Sequence, residues 1–179
     1  YYKQNNELFK CGDTIMTNTY PSNEGVGVYD TYSKDARDYY WSCLYSGLVS
    51  RGIDAYWMDS SEPDHYQGGD DREKTFDFVT GLNCTWRSVR NAYPLVHVSG
   101  VYDHHRAESA CSAKRVMVLT RSGYAGLQRT GANTWSGDIT ASWETLAKQI
   151  PAALNYTMCG IPNWNSDIGG FFNGNYTGP

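Results

Sequence analysis

Three short apolar runs, "IDAYWMD" at 53–59, "RVMVLTRS" at 115–122 and "GIPNWNSDIGG" at 160–170, run into polar or charged residues, and stretches of helical spacing lie between them. That alternation predicts βα units and a parallel sheet. Functional groups collected at strand C-termini are shared by doubly wound sheets and (β/α)8 barrels. Neither GxGxxG nor a phosphate-binding GK[ST] occurs, which removes the main support for a nucleotide-binding sheet. A barrel takes about 250 residues, so this chain of 179 could hold only about half of one. The expected class is α/β, with a doubly wound sheet and part of a barrel both open on these residues alone. No internal repeat, linker or low-complexity stretch divides it.

Ala36, Tyr40, Cys43, Leu44, Gly47 and Leu48 recur at three and four residues, with Ser33 placed to cap the start and Gly52 to stop the segment. The next helical stretch, "TWRSVRNAYPLVHVSGVYDHHRAESA", contains Pro94, where a kink or break is expected. Residues 121–138, "RSGYAGLQRTGANTWSGD", read as a polar tip. A helix is expected from about Ser142 to Leu154, then a last short strand ending on Asp167.

Charge limits the partners. With 15 basic and 19 acidic residues there is no basic stripe for a nucleic acid, and no run reaches membrane-spanning length. Five cysteines, Cys11, Cys43, Cys84, Cys111 and Cys159, form no metal-ligand spacing, so mostly buried free thiols are expected. His104 and His105 are adjacent, point different ways on a helix and lack a partner four residues away, so no metal site is expected. Fifteen tyrosines and six tryptophans suit either an aromatic core or a sugar-facing surface. The chain opens at Tyr1 and closes on "NGNYTGP", with neither a signal peptide nor a targeting tail, as expected of a piece of a longer protein. No compartment can be read from it.

Three of the polar tips carry aspartates: Asp59 in "WMDSSEPD", Asp138 in "TWSGD" and Asp167 in "NSDIGG". Two facing carboxyl groups can cleave a glycosidic bond, one attacking the anomeric carbon while the other protonates the departing oxygen. The nucleophile must be ionised, which a neighbouring arginine favours. The acid must keep its proton, which burial against aromatic surface favours, and Asp138 lies close after Trp135. The competing reading for each aspartate is a helix cap. Glu62 and Asp64 fit capping after Pro63 or plain solvation, the latter above all for Asp64. Strand alternation puts Trp57 and Asp59 on one side, Met58 and Ser60 on the other.

"GIDAYWMDSSEPD" together with "VMVLTRSGYAGLQRTGANTWSGDITASWETLAKQIPAALNYTMCGIPNWNSDIGGFF" resembles glycoside hydrolase family 31, the α-glucosidase and α-xylosidase family, in order and approximate spacing from about Tyr29 to Phe172. The resemblance implies that Asp59, the aspartate of the W-x-D-x-x-E segment, is the nucleophile. Asp138, the aspartate of the W-x-G-D segment, is then the acid/base. It further implies that Trp57 walls the sugar pocket and that Arg121 touches sugar and nucleophile. Trp135, Asp167 and Phe171 would surround the sugar, with Glu62 standing behind them. The loop between Arg121 and Asp138 is a residue longer than in animal α-glucosidases and looks more like bacterial members acting on α-xylosides or related sugars.

By that resemblance the fold is α/β, a partial (β/α)8 barrel of roughly the middle to later βα units, and residues 1–179 are a fragment of one catalytic barrel domain, its remaining strands and flanking β-domains lying outside. The implied activity is that of a retaining exo-α-glycosidase releasing terminal xylose or glucose from oligosaccharides or polysaccharide-derived chains, with the carboxyls about 5 to 5.5 Å apart. No cofactor is expected. An α-transglycosylase, an α-galactosidase-type member and a non-catalytic carbohydrate-binding relative are the alternatives. Unpaired strand edges make self-association of the isolated segment an expectation too.

Overall fold

The computed structural model describes residues 10–11, 14–15, 29–62 and 81–174. A two-residue hairpin, β1 (Lys10–Cys11) and β2 (Thr14–Ile15), precedes the main body. The body contains helices α1 (Lys34–Gly47), the single turn α2 (Trp86–Val89), α3 (Tyr93–Ala107) and α4 (Trp143–Met158). Its sheet contains β3 (Ala55–Met58), β4 (Met117–Thr120), β5 (Asn133–Trp135) and β6 (Trp164–Asn165).

These four strands are parallel and lie in space in their order along the chain, β3-β4-β5-β6. A doubly wound sheet reverses strand order at its switch point, whereas a barrel adds each strand on the same side of the last. The unreversed order is that of a barrel arc. Register places Trp57 beside Leu119, Met58 beside Thr120, Thr120 beside Thr134 and Trp135 beside Asn165, so the strand ends line up along one rim.

The two faces of β3 differ sharply. Tyr56 and Met58 are buried and pack with Trp41 of α1, Val98 and Val101 of α3, and Val118 of β4. Trp57, one residue out of phase, is 70 % exposed. Period-two alternation sends one set under the helices and the other to what is a barrel's interior.

Helix α1 starts where its cap was expected: the Ser33 hydroxyl accepts from the Ala36 N–H. Gly52, at φ +92°, ends the 3-10 turn that follows. The expected break comes just ahead of Pro94: the stretch divides into α2, a 3-10 turn over Arg90–Ala92 and then α3, whose first turn holds Pro94, where its missing N–H has no helical partner to lose. Ser142 caps α4, which continues past the expected end, through Pro151, to Met158.

Three expectations fail. The "polar tip" at 121–138 contains strand β5, and β4 reaches β5 through a 3-10 turn over Leu127–Thr130 with no crossover α-helix. Fully buried Leu127 anchors that turn in the core. The last strand also ends at Asn165, short of Asp167. Nor are the thiols mostly buried: among the described free cysteines Cys111 is buried, Cys43 and Cys84 are partly so, and Cys159 is exposed. Asp64 lies outside the described residues.

Candidate active site

Asp59 is the first residue beyond β3, on the same side as Trp57 and opposite the buried Met58. The chain turns at once: the Asp59 Oδ1 accepts from the Ser60 N–H at 2.8 Å, and Ser60 has φ +51°, a left-handed conformation uncommon for a serine. That turn carries Ser61 into the interior and leaves Glu62 half-buried beside the strand ends.

Arg121 occupies the matching position after β4. Its N–H donates to the Met58 carbonyl at 3.2 Å, extending the β3–β4 ladder and setting the two tips side by side. The guanidinium side chain is 9 % exposed and is held by both acids of the first tip, with Nη1 3.2 Å from Asp59 Oδ1 and Nε 2.6 Å from Glu62 Oε1. Nη2 donates to the Ser60 hydroxyl at 3.3 Å. A cation this enclosed requires counter-charge, and two carboxylates supply it.

Strand β5 contributes the opposite wall. Trp135, buried at its end, meets Trp57 edge-on with ring centroids 6.0 Å apart. Gly137, at φ +70°, lies flat against Arg121; a Cβ there would stand 3.3 Å from Arg121 Cδ. Asp138 follows immediately. The loop after β6 is laced to this tip: the Asp167 N–H donates to the Ser136 hydroxyl at 3.3 Å and the Phe171 N–H to the Ile139 carbonyl at 2.7 Å. Gly170 crosses so close to Ala141 that a Cβ would fall 2.5 Å from its Cα. Beyond these loops a groove of about 790 Å³ is lined by Ile139, Trp143, Leu146, Asp167, Ile168 and neighbouring residues; it adjoins the aspartate cluster without containing Asp59 or Asp138.

Asp59, Glu62 and Arg121 thus meet through direct contacts, and Trp57 and Trp135 meet each other beside them. Asp138 and Asp167 reach the same rim through Gly137 and Ser136. Phe171 is 59 % exposed, its ring packs edge-on against Phe172, and its link to the cluster is the backbone bond to Ile139. One expectation needs correction: Asp138 is exposed, so the apolar enclosure that would hold its proton is not supplied by the described residues. Sequence reasoning missed Gly137, although a glycine immediately before a strand-end acid is a turn signal, and it missed the hydroxyls of Ser60, Ser61, Thr120 and Ser122.

The two histidines turn apart as their adjacency requires. His104 Nε2 meets Asp38 of α1 at 3.0 Å, while His105 Nδ1 lies 2.8 Å from the buried Tyr56 hydroxyl. Among the described residues no three His, Cys, Asp or Glu side chains gather as metal ligands would, and no described helix is long and apolar enough to cross a membrane.

The model of the glycosyl hydrolases family 31 TIM-barrel domain matches residues 2–178. The chain is 41 % identical over 151 residues to an α-xylosidase of Saccharolobus solfataricus, a match covering 84 % of this chain and 20 % of that protein. It is 32 % identical over 189 residues to an α-glucosidase of the same organism, covering 93 % and 26 %. Among solved structures, the α-xylosidase of Xanthomonas citri matches with a TM-score of 0.72 at 40 % identity, over 82 % of this chain and 16 % of that one. The chain therefore spans between 16 % and 26 % of the lengths of these relatives.

Proposed function

The chain belongs to glycosyl hydrolase family 31, and from that premise we propose that it carries the reacting groups of a retaining exo-α-glycosidase acting on terminal α-xylose, with α-glucose as the neighbouring possibility. The observation that carries this reading is the Arg121 guanidinium, bonded at once to Asp59 and Glu62 on the barrel rim beside the Trp57–Trp135 wall. The 41 % identity to an α-xylosidase, against 32 % to an α-glucosidase, supports the preference for xylose.

In the first step an Asp59 carboxylate oxygen attacks the anomeric carbon as the glycosidic C–O bond breaks. Asp138 gives its proton to the departing oxygen. In the second step water attacks the same carbon, Asp138 takes the water's proton and Asp59 leaves, so the configuration is retained. Arg121 stabilises the carboxylate as it departs and fixes its orientation before attack. Trp57 and Trp135 present ring faces and edges to the C–H surface of the sugar. Asp138 would receive its enclosure from bound sugar and from barrel strands beyond this segment.

Aryl α-xyloside, α-glucoside and α-galactoside supplied to the full-length chain test the reading, with turnover highest on the xyloside. Asp59→Asn should lower kcat by roughly 10⁴-fold or more while the Kd for xylose changes little. A 5-fluoro glycosyl fluoride should label Asp59, and a label on Glu62 would reverse the assignment. If no glycoside is turned over but sugar still binds, a non-catalytic relative is the correct description.

A further inference from the structure

Beneath the Asp59–Arg121 pair lie three hydroxyls that the proposed chemistry does not use. Ser61, 2 % exposed, has its Oγ 2.8 Å from Thr120 Oγ1, 2.9 Å from Ser122 Oγ and 3.2 Å from the Ser122 N–H. Thr120, fully buried, donates its own hydroxyl to the Ser122 carbonyl at 3.0 Å.

Donor counting then fixes every direction. A hydroxyl has one proton and two acceptor sites. Because Thr120 spends its proton on the Ser122 carbonyl, the Ser61 hydroxyl must be the donor in the Ser61–Thr120 bond. Ser61 Oγ accepts from the Ser122 N–H, and its remaining lone pair takes the Ser122 hydroxyl. The capacity of Ser61 is full, with one proton given and two received.

The partners have a telling position. Ser61 is two residues after Asp59, and it grips the residues on either side of Arg121. Resting on the assignment of Asp59 above, we propose that Ser61, Thr120 and Ser122 form a hydroxyl clasp that positions Asp59 against Arg121. These are positioning residues and touch no sugar. The clasp also explains how Ser60 is held at φ +51°, because the chain is pinned immediately after it.

Thr120 allows a contrast in which packing and hydrogen bonding give opposite results. Thr120→Val keeps the shape and removes the hydroxyl, whereas Thr120→Ser keeps the hydroxyl and removes a methyl. In the full-length chain with an aryl α-xyloside, the valine variant should lose about ten-fold or more in kcat with KM within about two-fold of the parent. The serine variant should stay within about two-fold in both. The reverse order, or equal losses, would show that Thr120 serves packing and overturn the clasp.

If the valine variant is recovered insoluble, Ser122→Ala removes one bond of the network. A kcat loss of about three-fold at an unchanged melting temperature supports the clasp; no loss overturns it. Amide hydrogen exchange reads the same network without substrate. Residues 59–62 should exchange faster in Thr120→Val than in Thr120→Ser, and identical exchange overturns the proposal. Should the full-length chain hydrolyse nothing while this exchange contrast appears, the assignment of function fails and the clasp stands.

Discussion

Arg121 is the residue on which the site turns, because it is nearly buried and two acids from one tip depend on it. A guanidinium meets them from separate nitrogens in a fixed plane; an ammonium is a single point on a flexible stem. Arg121→Lys should therefore leave one carboxylate without its partner and lower kcat/KM by roughly 100-fold, measurable on the aryl α-xyloside with melting temperature as the control. Gly137 predicts a weaker effect through the same residue. At φ +70°, with Arg121 Cδ 3.3 Å from where a Cβ would stand, alanine is strained and displaces the arginine, so Gly137→Ala should cost roughly ten-fold in kcat. Asp59 stood out in the letters because it ends an apolar run with a charge, whereas Arg121 entered only through the resemblance to family 31. The clasp did not stand out, since serine and threonine after an acid have the composition of any turn, and only the parallel register makes residues 61, 120 and 122 neighbours.

Between helices α1 and α3 lies a buried aromatic layer that makes the fold sensitive to acid. Tyr29 stacks on Tyr40 at 4.9 Å, its hydroxyl lies 2.6 Å from His97 Nδ1, and the Tyr93 ring packs beside both. Burial pushes His97 down from 6.5 to about 4 and holds the Tyr29 hydroxyl above the usual phenol range, so the tyrosine donates and the neutral imidazole accepts. Below pH 6.5 the unfolded chain binds a proton that the folded chain refuses. The stabilisation is complete above that pH, declines as pH falls to about 4 and then levels. At roughly 1.4 kcal/mol per pH unit the loss across this window is about 3 kcal/mol. Denaturant midpoints of His97→Gln should be lower at pH 7.5 but flatter between pH 6.5 and 4 than those of the parent; parallel curves would assign the acid sensitivity elsewhere.

The same elements show where sequence patterns reach and where they stop. Helix α1 was evident from its spacing and its serine cap, and β3 from its short apolar run. Strand β5 was hidden because three residues cannot establish an alternation, and Thr134, buried on the helix side, fills its position with a hydroxyl that reads as loop. The missing helix between β4 and β5 follows from the same segment: Leu127, Thr130 and Ala132 close the core beneath the turn, so no amphipathic stretch is needed there.

The whole molecule leaves apolar surface that a complete barrel would cover. Trp57 and Met117 are exposed on the inner face, and α4 shows Trp143, Leu146, Ile150, Leu154 and Met158 on one stripe at spacings of three and four, all at least half exposed. Within the described sheet β3 and β6 each have one paired side, so open edges add a second route to association. The isolated 20.1 kDa chain should therefore scatter light as a species heavier than one copy, with a mass that rises with concentration. The two routes separate by mutation. Ile150→Lys with Leu154→Lys places charge in the middle of the helical stripe and leaves every strand untouched, so a return to the single-chain mass assigns association to α4. Undiminished association in that variant assigns it to the strand edges or the inner face, and a parent mass of 20.1 kDa at every concentration rejects both routes. The stripe is the stronger candidate, because burying five large apolar side chains outweighs the few backbone bonds that strands of four and two residues can offer.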